Sequence, residues 1–409
     1  MRVFLIAFAC EPNRTSEPGV GWHLAGEMAL RHDVIVLTRE NNRAVIEDYL
    51  RAHPNVSQSR VKFIYFDMAP WWCRLKKRIP YGAQIYQETW NWAAAKRFAP
   101  EMHTADIVHL VTFGAAFFTP YAARCSDRFV WGPIGGGDEP IAFSFSWRMG
   151  LKSVIMELIY GFATCYACKG NAWVNRFRHR SKAIIFRMAD FASRMALCDG
   201  QIRAVVPETA YEEKVEERVF LGSAGPLRVM MLGRLLPHKG VILALDAFAA
   251  YLSMGGEGNL IVCGTGALRR DMEKRIRTLG IYSHVQMMGQ CSHDHVLELM
   301  DERDILLHLS FREGGSWSIL ECMAHGMPII CQRKSGMNDM VANDCGTKIS
   351  ASTPDDLIGQ AADALLRYGT NPVLLAEQGS KGQERVRKVY RWSKIADQID
   401  EVYKEVVNS

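Results

Sequence analysis

The chain has 409 residues, of which 48% are hydrophobic and 33 are glycine, and its formal net charge is +5. This length has room for two domains with sizeable cores, and the lack of internal repeats or low-complexity tracts excludes a solenoid or a biased, extended chain. Apolar strands alternate with helical patterns and show no sandwich-like spacing, which excludes an all-β build and predicts an α/β protein with parallel sheets. Residues 1–9 read as a short buried-type strand. A loop carrying Pro18, Gly19 and Gly21 follows, then an amphipathic helix over 22–30 and a strand over 34–38. The chain thus opens with a βαβ unit whose glycine turn faces the carboxyl edge of the sheet. A dinucleotide loop is the rival reading, but the third glycine of that spacing is missing. Residues 106–114 form a strand emptying into Gly114. His109 on it reads either as an imidazole reaching a ligand or as a satisfied buried histidine. The strand and turn over 129–139 carry Gly135, Gly136 and Gly137 beside Asp138 and Glu139. They suit a loop that closes over a ligand, with a plain flexible turn as the alternative.

A domain boundary is expected within 199–223, where Pro207 and the acids Glu208, Glu212, Glu213, Glu216 and Glu217 precede the next strand. That strand, 227–233, ends in Gly233-Arg234, and Lys239-Gly240 opens an apolar-periodic helix over 241–252. Cations at a strand-to-helix crossing sit where open α/β sheets bind ligands, and two solvated surface cations are the plain alternative. Arg offers a bidentate fork and Lys a point charge for a diphosphate. Further on, a strand over 304–310 leads to Glu313, Gly314, Gly315 and Ser316. The helix from Trp317 to about residue 325 presents unpaired N–H groups to that turn, a natural seat for phosphate. Glu321 lies about one helical turn inside, where a carboxylate can accept both hydroxyls of a ribose. Either Glu alone could be only a dipole partner. Acids suited to sugar hydroxyls and cations suited to a diphosphate point together to a nucleotide-activated sugar.

This set resembles the donor half of a retaining GT-B glycosyltransferase of family 4, the glycosyl transferases group 1. Two glutamates separated by seven residues, as Glu313 and Glu321 are, and Gly233-Arg234 followed by Lys239-Gly240 are the hallmarks. Residues 260–266, with Gly264 and Gly266, and 285–290, with Gly289 and Gln290, match further segments. Residues 129–139 resemble a segment of an exopolysaccharide or lipopolysaccharide-type subgroup. The resemblance implies a GT-B fold, two Rossmann-like doubly wound domains facing each other across a cleft. Residues 1–205 would form the acceptor side and 206–392 the donor side, with a crossover helix over 393–409 packing back on the first. It implies that Arg234 and Lys239 hold the diphosphate, Glu321 the ribose, and Glu313 with the backbone of Gly315, Ser316 and Trp317 the transferred sugar. Gly19, Gly21, Gly233, Gly264, Gly266, Gly289, Gln290 and Gly314 would line the donor, His109 would join the catalytic set, and Gly135, Gly136, Gly137 and Asp138 would face the acceptor. The chain departs from the pattern at Gly315-Ser316, at Leu309 and at Val111, where a second histidine is common.

The implied activity is retaining transfer of a hexose from a UDP- or GDP-linked sugar to a saccharide or lipid-linked acceptor in surface polysaccharide synthesis. The alternatives are a nucleotide-sugar epimerase on the same fold and a non-catalytic nucleotide-sugar-binding protein. No Asp-x-Asp occurs, so no metal and no other cofactor is expected. The eleven cysteines are scattered, Cys165 and Cys168 form the one Cys-x-x-Cys pair, and no cleavable signal follows Met1, which together predict a cytoplasmic chain with reduced thiols. Residues 141–190 hold eight Lys or Arg against two acids, a net of +6, interleaved with aromatics, and 71–80 repeats the pattern. Such segments suit an anionic membrane surface, here the inner face of the plasma membrane. A solvated basic face is the alternative, and no nucleic acid is expected, because no binding module accompanies the patch.

Overall fold

The computed structural model describes all residues except 55–60, 80, 166–171 and 213–224. It divides into two compact units. The first comprises Met1–Asp138, Ala163–Thr209 and Trp392–Ser409, and the second Glu139–Phe162 and Ala210–Arg391. This differs from the expected division chiefly in residues 139–162, which belong with the second unit. Long-range pairs explain the difference. Phe145 packs edge-on against Phe311 at 5.1 Å, Arg312 pairs with Glu157, and the Arg312 guanidinium lies 3.9 Å from the Tyr160 ring centre. Residues 213–217 of the expected acidic linker lie outside the described residues.

Seven strands build the first unit: β1 (Arg2–Ile6), β2 (Asp33–Thr38), β3 (Val61–Tyr65), β4 (Ile107–Leu110), β5 (Phe129–Ile134), β6 (Ala183–Phe186) and β7 (Ile202–Val205). All pair in parallel, in the order β3-β2-β1-β4-β5-β6-β7. Central strands such as β4 and β6 are buried at every residue, as a sheet covered on both faces requires. Chain order reverses between β1 and β4, so a topological switch point lies at their carboxyl ends. The helix after β1 spans Ser16–Ala29 and starts six residues earlier than expected. Glu17 and Pro18 suit its first turn, one by charge and the other because its missing N–H would be unpaired there anyway. Gly19 and Gly21 therefore lie inside the helix. A Cβ on Gly21 would stand 2.2 Å from the Ala9 carbonyl oxygen, so the glycine lets the helix rest directly on the β1 loop.

The helix Trp392–Asn408 also belongs to the first unit. Its residues Ile395, Ile399, Tyr403 and Val406 recur at helical spacing and are buried. Arg31 and Asp397 at 2.6 Å and His32 and Asp400 at 2.7 Å tie it to the end of the first helix. Tyr390 and Arg391 separate it from the helix Pro372–Val389, so it begins one residue before the expected 393.

The second unit carries β8 (Leu227–Leu232), β9 (Gly258–Cys263), β10 (Val285–Gly289), β11 (Ile305–His308), β12 (Ile329–Gln332) and β13 (Gly346–Ile349). They too are all parallel, ordered β10-β9-β8-β11-β12-β13. Successive residues point to opposite faces. Val229 and Met231 join the layer of helices Val241–Ser253 and Pro354–Thr370, and Met230 joins that of Trp317–Ala324 and Pro372–Val389. Here chain order reverses between β8 and β11.

Candidate functional site

The loops after β8 and β11 flank the switch point of the second unit, and they carry the cations and one of the acids singled out above. β8 ends at Gly233, whose φ of +128° turns the chain toward Arg234. A single helical turn, Pro237–Lys239, then closes on Gly240 at φ +64°. A Cβ on Gly240 would lie 2.1 Å from the Leu309 carbonyl oxygen, so only glycine lets this loop sit over the end of β11. That close approach brings the Lys239 ammonium onto the Glu313 carboxylate, which also contacts His308 Nε2 at 2.9 Å. Burial would raise the Glu313 pKa, but the His308 hydrogen bond and charge and the Lys239 ammonium bring it down to about 2. Glu313 is therefore an anion throughout the physiological range. His238 is the opposite case: burial first, then the charges of Lys239, Arg312 and Arg234, push its pKa to about 4 and keep it neutral. Arg234 is exposed and makes no ion pair among the described residues. It lines a small hollow with Gly233, Lys239 and His308.

Around this centre the strand ends are stitched together. The Gly264 N–H donates to the Gly289 carbonyl at 2.7 Å, and the Leu235 N–H donates to that of Thr265 at 2.9 Å. Gly266 lies against the Leu235 backbone, and Gln290 Oε1 is 3.4 Å from Thr265 Oγ1. On the other side the Glu313-Gly314 loop is clamped by a pair that the sequence reading missed. Ser335 Oγ donates to the Glu313 carbonyl at 2.7 Å and accepts the Glu313 N–H at 3.1 Å, while the Gly336 N–H donates to the same carbonyl at 2.7 Å. The Ser335 φ of +53° is unusual for a residue with a Cβ. Gly315 follows in the loop, and Trp317 opens the helix Trp317–Ala324. The Ser316 N–H, expected to face a ligand, points at Met340 Sδ at 3.4 Å, a weak acceptor. Glu321 is buried one turn into that helix, with His293 Nδ1 3.9 Å from its carboxylate.

In the first unit two expectations are corrected. His109 is fully buried, and both ring nitrogens are occupied: Nδ1 by the Tyr403 hydroxyl at 2.6 Å and Nε2 by the Gly132 carbonyl at 2.7 Å. Burial lowers its pKa to about 4. It is the satisfied buried histidine of the two readings, not a group free to act on a ligand. Gly135, Gly136, Gly137 and Asp138 do not form an open flap. A Cβ on Gly135 would collide with the Arg187 guanidinium and one on Gly137 with the Phe191 ring, so this turn is packed down, and Asp138 is buried.

A group overlooked in the sequence occupies the switch point of this unit instead. Glu17 Oε2 accepts the Phe113 N–H at 2.8 Å, joining the first turn of the helix after β1 to the loop after β4. Burial and then the neighbouring Glu208 raise its pKa to about 7, against the Phe113 N–H and Arg187, which itself pairs with Glu208 at 2.9 Å. The only hint in the sequence is an acid directly before Pro18. A carboxyl raised above its ordinary 4.5 contributes stability in full below that value and loses it as pH rises through about 7. Glu17→Gln is therefore expected to raise the melting temperature by about 2–4 °C at pH 8 and to leave it unchanged at pH 4. An equal shift at both values contradicts the assignment.

Among the described residues no group of three His, Cys, Asp or Glu stands close enough to hold a metal. Ten cysteines are free thiols, and Cys168 lies outside the described residues. Of the segment 71–80, Trp72 Nε1 donates to Thr89 at 2.9 Å and the Lys76 ammonium lies 3.7 Å from the Tyr86 ring centre, while Trp71 is exposed. That segment is thus partly packed into the first unit.

With this geometry in place, residues 214–385 match the family glycosyl transferases group 1. That stretch is similar to a group 1 glycosyltransferase domain. The matched stretch contains all four of Arg234, Lys239, Glu313 and Glu321. A phosphatidylinositol N-acetylglucosaminyltransferase GPI3 subunit of Saccharomyces cerevisiae is 23% identical over 273 residues, covering 63% of this chain and 58% of that protein. A phosphatidyl-myo-inositol mannosyltransferase of Mycobacterium leprae is 27% identical over 184 residues, 44% of this chain and 47% of that one. The chain thus spans less than two thirds of the length of these relatives. The crystal structure of Anabaena Alr3699/HepE in complex with UDP aligns over 99% of both chains with a TM-score of 0.59 at 15% identity. The fold is that of the GT-B glycosyltransferases, two parallel-sheet α/β domains.

Proposed function

We propose that this protein is a retaining, metal-independent glycosyltransferase that moves a hexose from a UDP- or GDP-linked sugar to a saccharide or lipid-linked acceptor. One observation carries the reading: Arg234, Lys239 and Glu313 converge at the switch point between β8 and β11, with Glu321 one helical turn further on. The exposed Arg234 and the Lys239 ammonium receive the diphosphate. Glu321 receives the ribose hydroxyls, and the strand ends at Gly264, Gly289 and Gln290 lie along the nucleoside. Glu313 accepts from sugar hydroxyls with the oxygen capacity that Lys239 and His308 leave open.

In the transfer step the bond from the anomeric carbon to the diphosphate oxygen breaks, and negative charge grows on that oxygen. Arg234, Lys239 and the N-terminus of the helix Trp317–Ala324 stabilise this charge more in the transition state than in the bound donor. The acceptor oxygen attacks from the same face and passes its proton to the leaving diphosphate, so configuration is retained without a protein nucleophile. Two of the relatives above are named for acting on phosphatidylinositol lipids, which supports a lipid-linked acceptor. The working site we propose is the cytoplasmic face of the membrane where surface polysaccharide precursors are made.

A thermal-shift panel of UDP, GDP and their sugars tests the donor reading, since a ligand at a hundred times its Kd stabilises by about 2.7 kcal/mol. A rise in melting temperature with one nucleotide series is expected, and no response to any of them would remove the proposal. Glu321→Ala should weaken free nucleotide and nucleotide sugar by the same factor, about tenfold or more, as loss of a charged hydrogen-bond acceptor implies. Selective loss of the sugar conjugate alone would assign Glu321 elsewhere.

A further inference from the structure

The helix Leu151–Cys165, which belongs to the second unit as far as Phe162, is inverted relative to an ordinary surface helix. At 3.6 residues per turn, Leu151, Ile155, Leu158, Ile159 and Phe162 share an arc of roughly 100°. That arc is the exposed one: Leu151 is 65%, Leu158 70% and Phe162 76% exposed. The opposite side, turned into the domain, holds the polar residues Ser153 and Glu157 beside Val154, all buried. Glu157 is held there by Arg312 and accepts the Ile141 N–H at 2.9 Å. A water-soluble helix places these two faces the other way round. The preceding short helix, Phe143–Arg148, adds exposed Phe143 and Trp147, stacked with ring centres 5.8 Å apart.

Charge identifies what covers this face. Between residues 141 and 165 the charged side chains are Arg148, Lys152 and Glu157. The one acid is taken up inside the domain, so the charge left to this segment is positive. Arg148 is half-exposed, its guanidinium 3.8 Å from the buried Asp246. An apolar arc bordered by aromatic rings and by the half-exposed Arg148 fits the boundary of an anionic bilayer, where acyl chains take the aliphatic residues and headgroup phosphates the guanidinium. No described helix is long and apolar enough to cross a membrane. We infer that the helices Phe143–Arg148 and Leu151–Cys165 form a docking face for an anionic lipid surface, the segment lying in the plane of the interface. The inference deepens the lipid-linked acceptor reading and rests on it for its biological purpose, though not for its physical argument.

Flotation of the full chain with vesicles of equal phosphatidylglycerol and phosphatidylcholine, against phosphatidylcholine alone, tests it. Wild type should float with the anionic vesicles at low salt and much less with the neutral ones. The double substitution Leu158→Ser with Phe162→Ser should lower the bound fraction at least about tenfold, and Arg148→Glu should remove most of the salt-dependent part. Leu158 and Phe162 are exposed, so the melting temperature of the double variant and its shift by the donor nucleotide should match wild type. Wild type left behind at low salt, equal binding by the double variant, or a lipid-free homodimer that the double variant makes monomeric would each overturn the docking face. Those results leave nucleotide binding intact, whereas failure of the donor reading shows as loss of the nucleotide shift with vesicle binding preserved.

Discussion

Arg234→Ala is expected to lower kcat by about a hundredfold or more in a transfer assay while leaving stability within about 0.5 kcal/mol of wild type. The first half follows from the role proposed for Arg234, because a guanidinium at the departing oxygen would stabilise a state in which that oxygen carries more charge than in the bound donor. The second half follows from the structure: Arg234 is exposed and holds no ion pair among the described residues, so its removal leaves nothing behind uncompensated. Lys239→Ala should show a comparable kcat loss together with a stability cost, because its ammonium is the partner of buried Glu313. The two substitutions separate catalysis from folding at neighbouring cations. Saturation kinetics with chemical denaturation of both variants decides the matter. A change in KM at constant kcat would mean that these cations bind ground state and transition state equally.

Glu313→Ala should act on both the sugar and the fold. Binding of the nucleotide sugar should fall at least about tenfold while free nucleotide binds nearly as in wild type, as the proposed contact of the carboxylate with the sugar requires. The variant also strips Lys239 and His308 of their shared anion at a site nine-tenths enclosed, a loss of about 2 kcal/mol at pH 7. The pH dependence carries the sign. A carboxylate lowered from 4.5 to about 2 contributes stability that is complete above pH 4.5 and disappears as pH falls toward 2. Wild type should therefore lose more stability than Glu313→Ala between pH 5 and pH 3. Calorimetric titration with nucleotide and nucleotide sugar, and denaturation at the two pH values, measure both halves. Parallel pH curves would show that the ion pair contributes nothing in solution.

Much of this was legible in the sequence because it is local. Strand β8, the cations behind it and the acid-turn-helix of 313–324 each lie within about a dozen consecutive residues, and their periodicity and glycines mark them. What could not be read depends on partners far along the chain. The occupant of His109 Nδ1 is Tyr403, 294 positions away, so strand context alone left the imidazole open to a catalytic role. The clamp on Glu313 comes from Ser335 and Gly336, beyond an intervening helix and strand, and no motif announced it. Residues 139–162 were assigned by adjacency to the first unit, whereas Phe311 and Arg312 hold them in the second. Glu17 was passed over because the glycines beside it drew the interpretation, although the acid is what spans the switch point.

The first unit is assembled from three separate stretches, the last of which is Trp392–Ser409. Its seven strands lie within residues 2–205, so in vectorial synthesis they emerge well before Tyr403, the partner of His109. Residues 210–391, the larger part of the second unit, are synthesised between those strands and the helix Trp392–Asn408. A nascent chain stalled before residue 392 would present an incomplete amino-terminal half to chaperones, and closing it depends on the final seventeen-residue helix arriving.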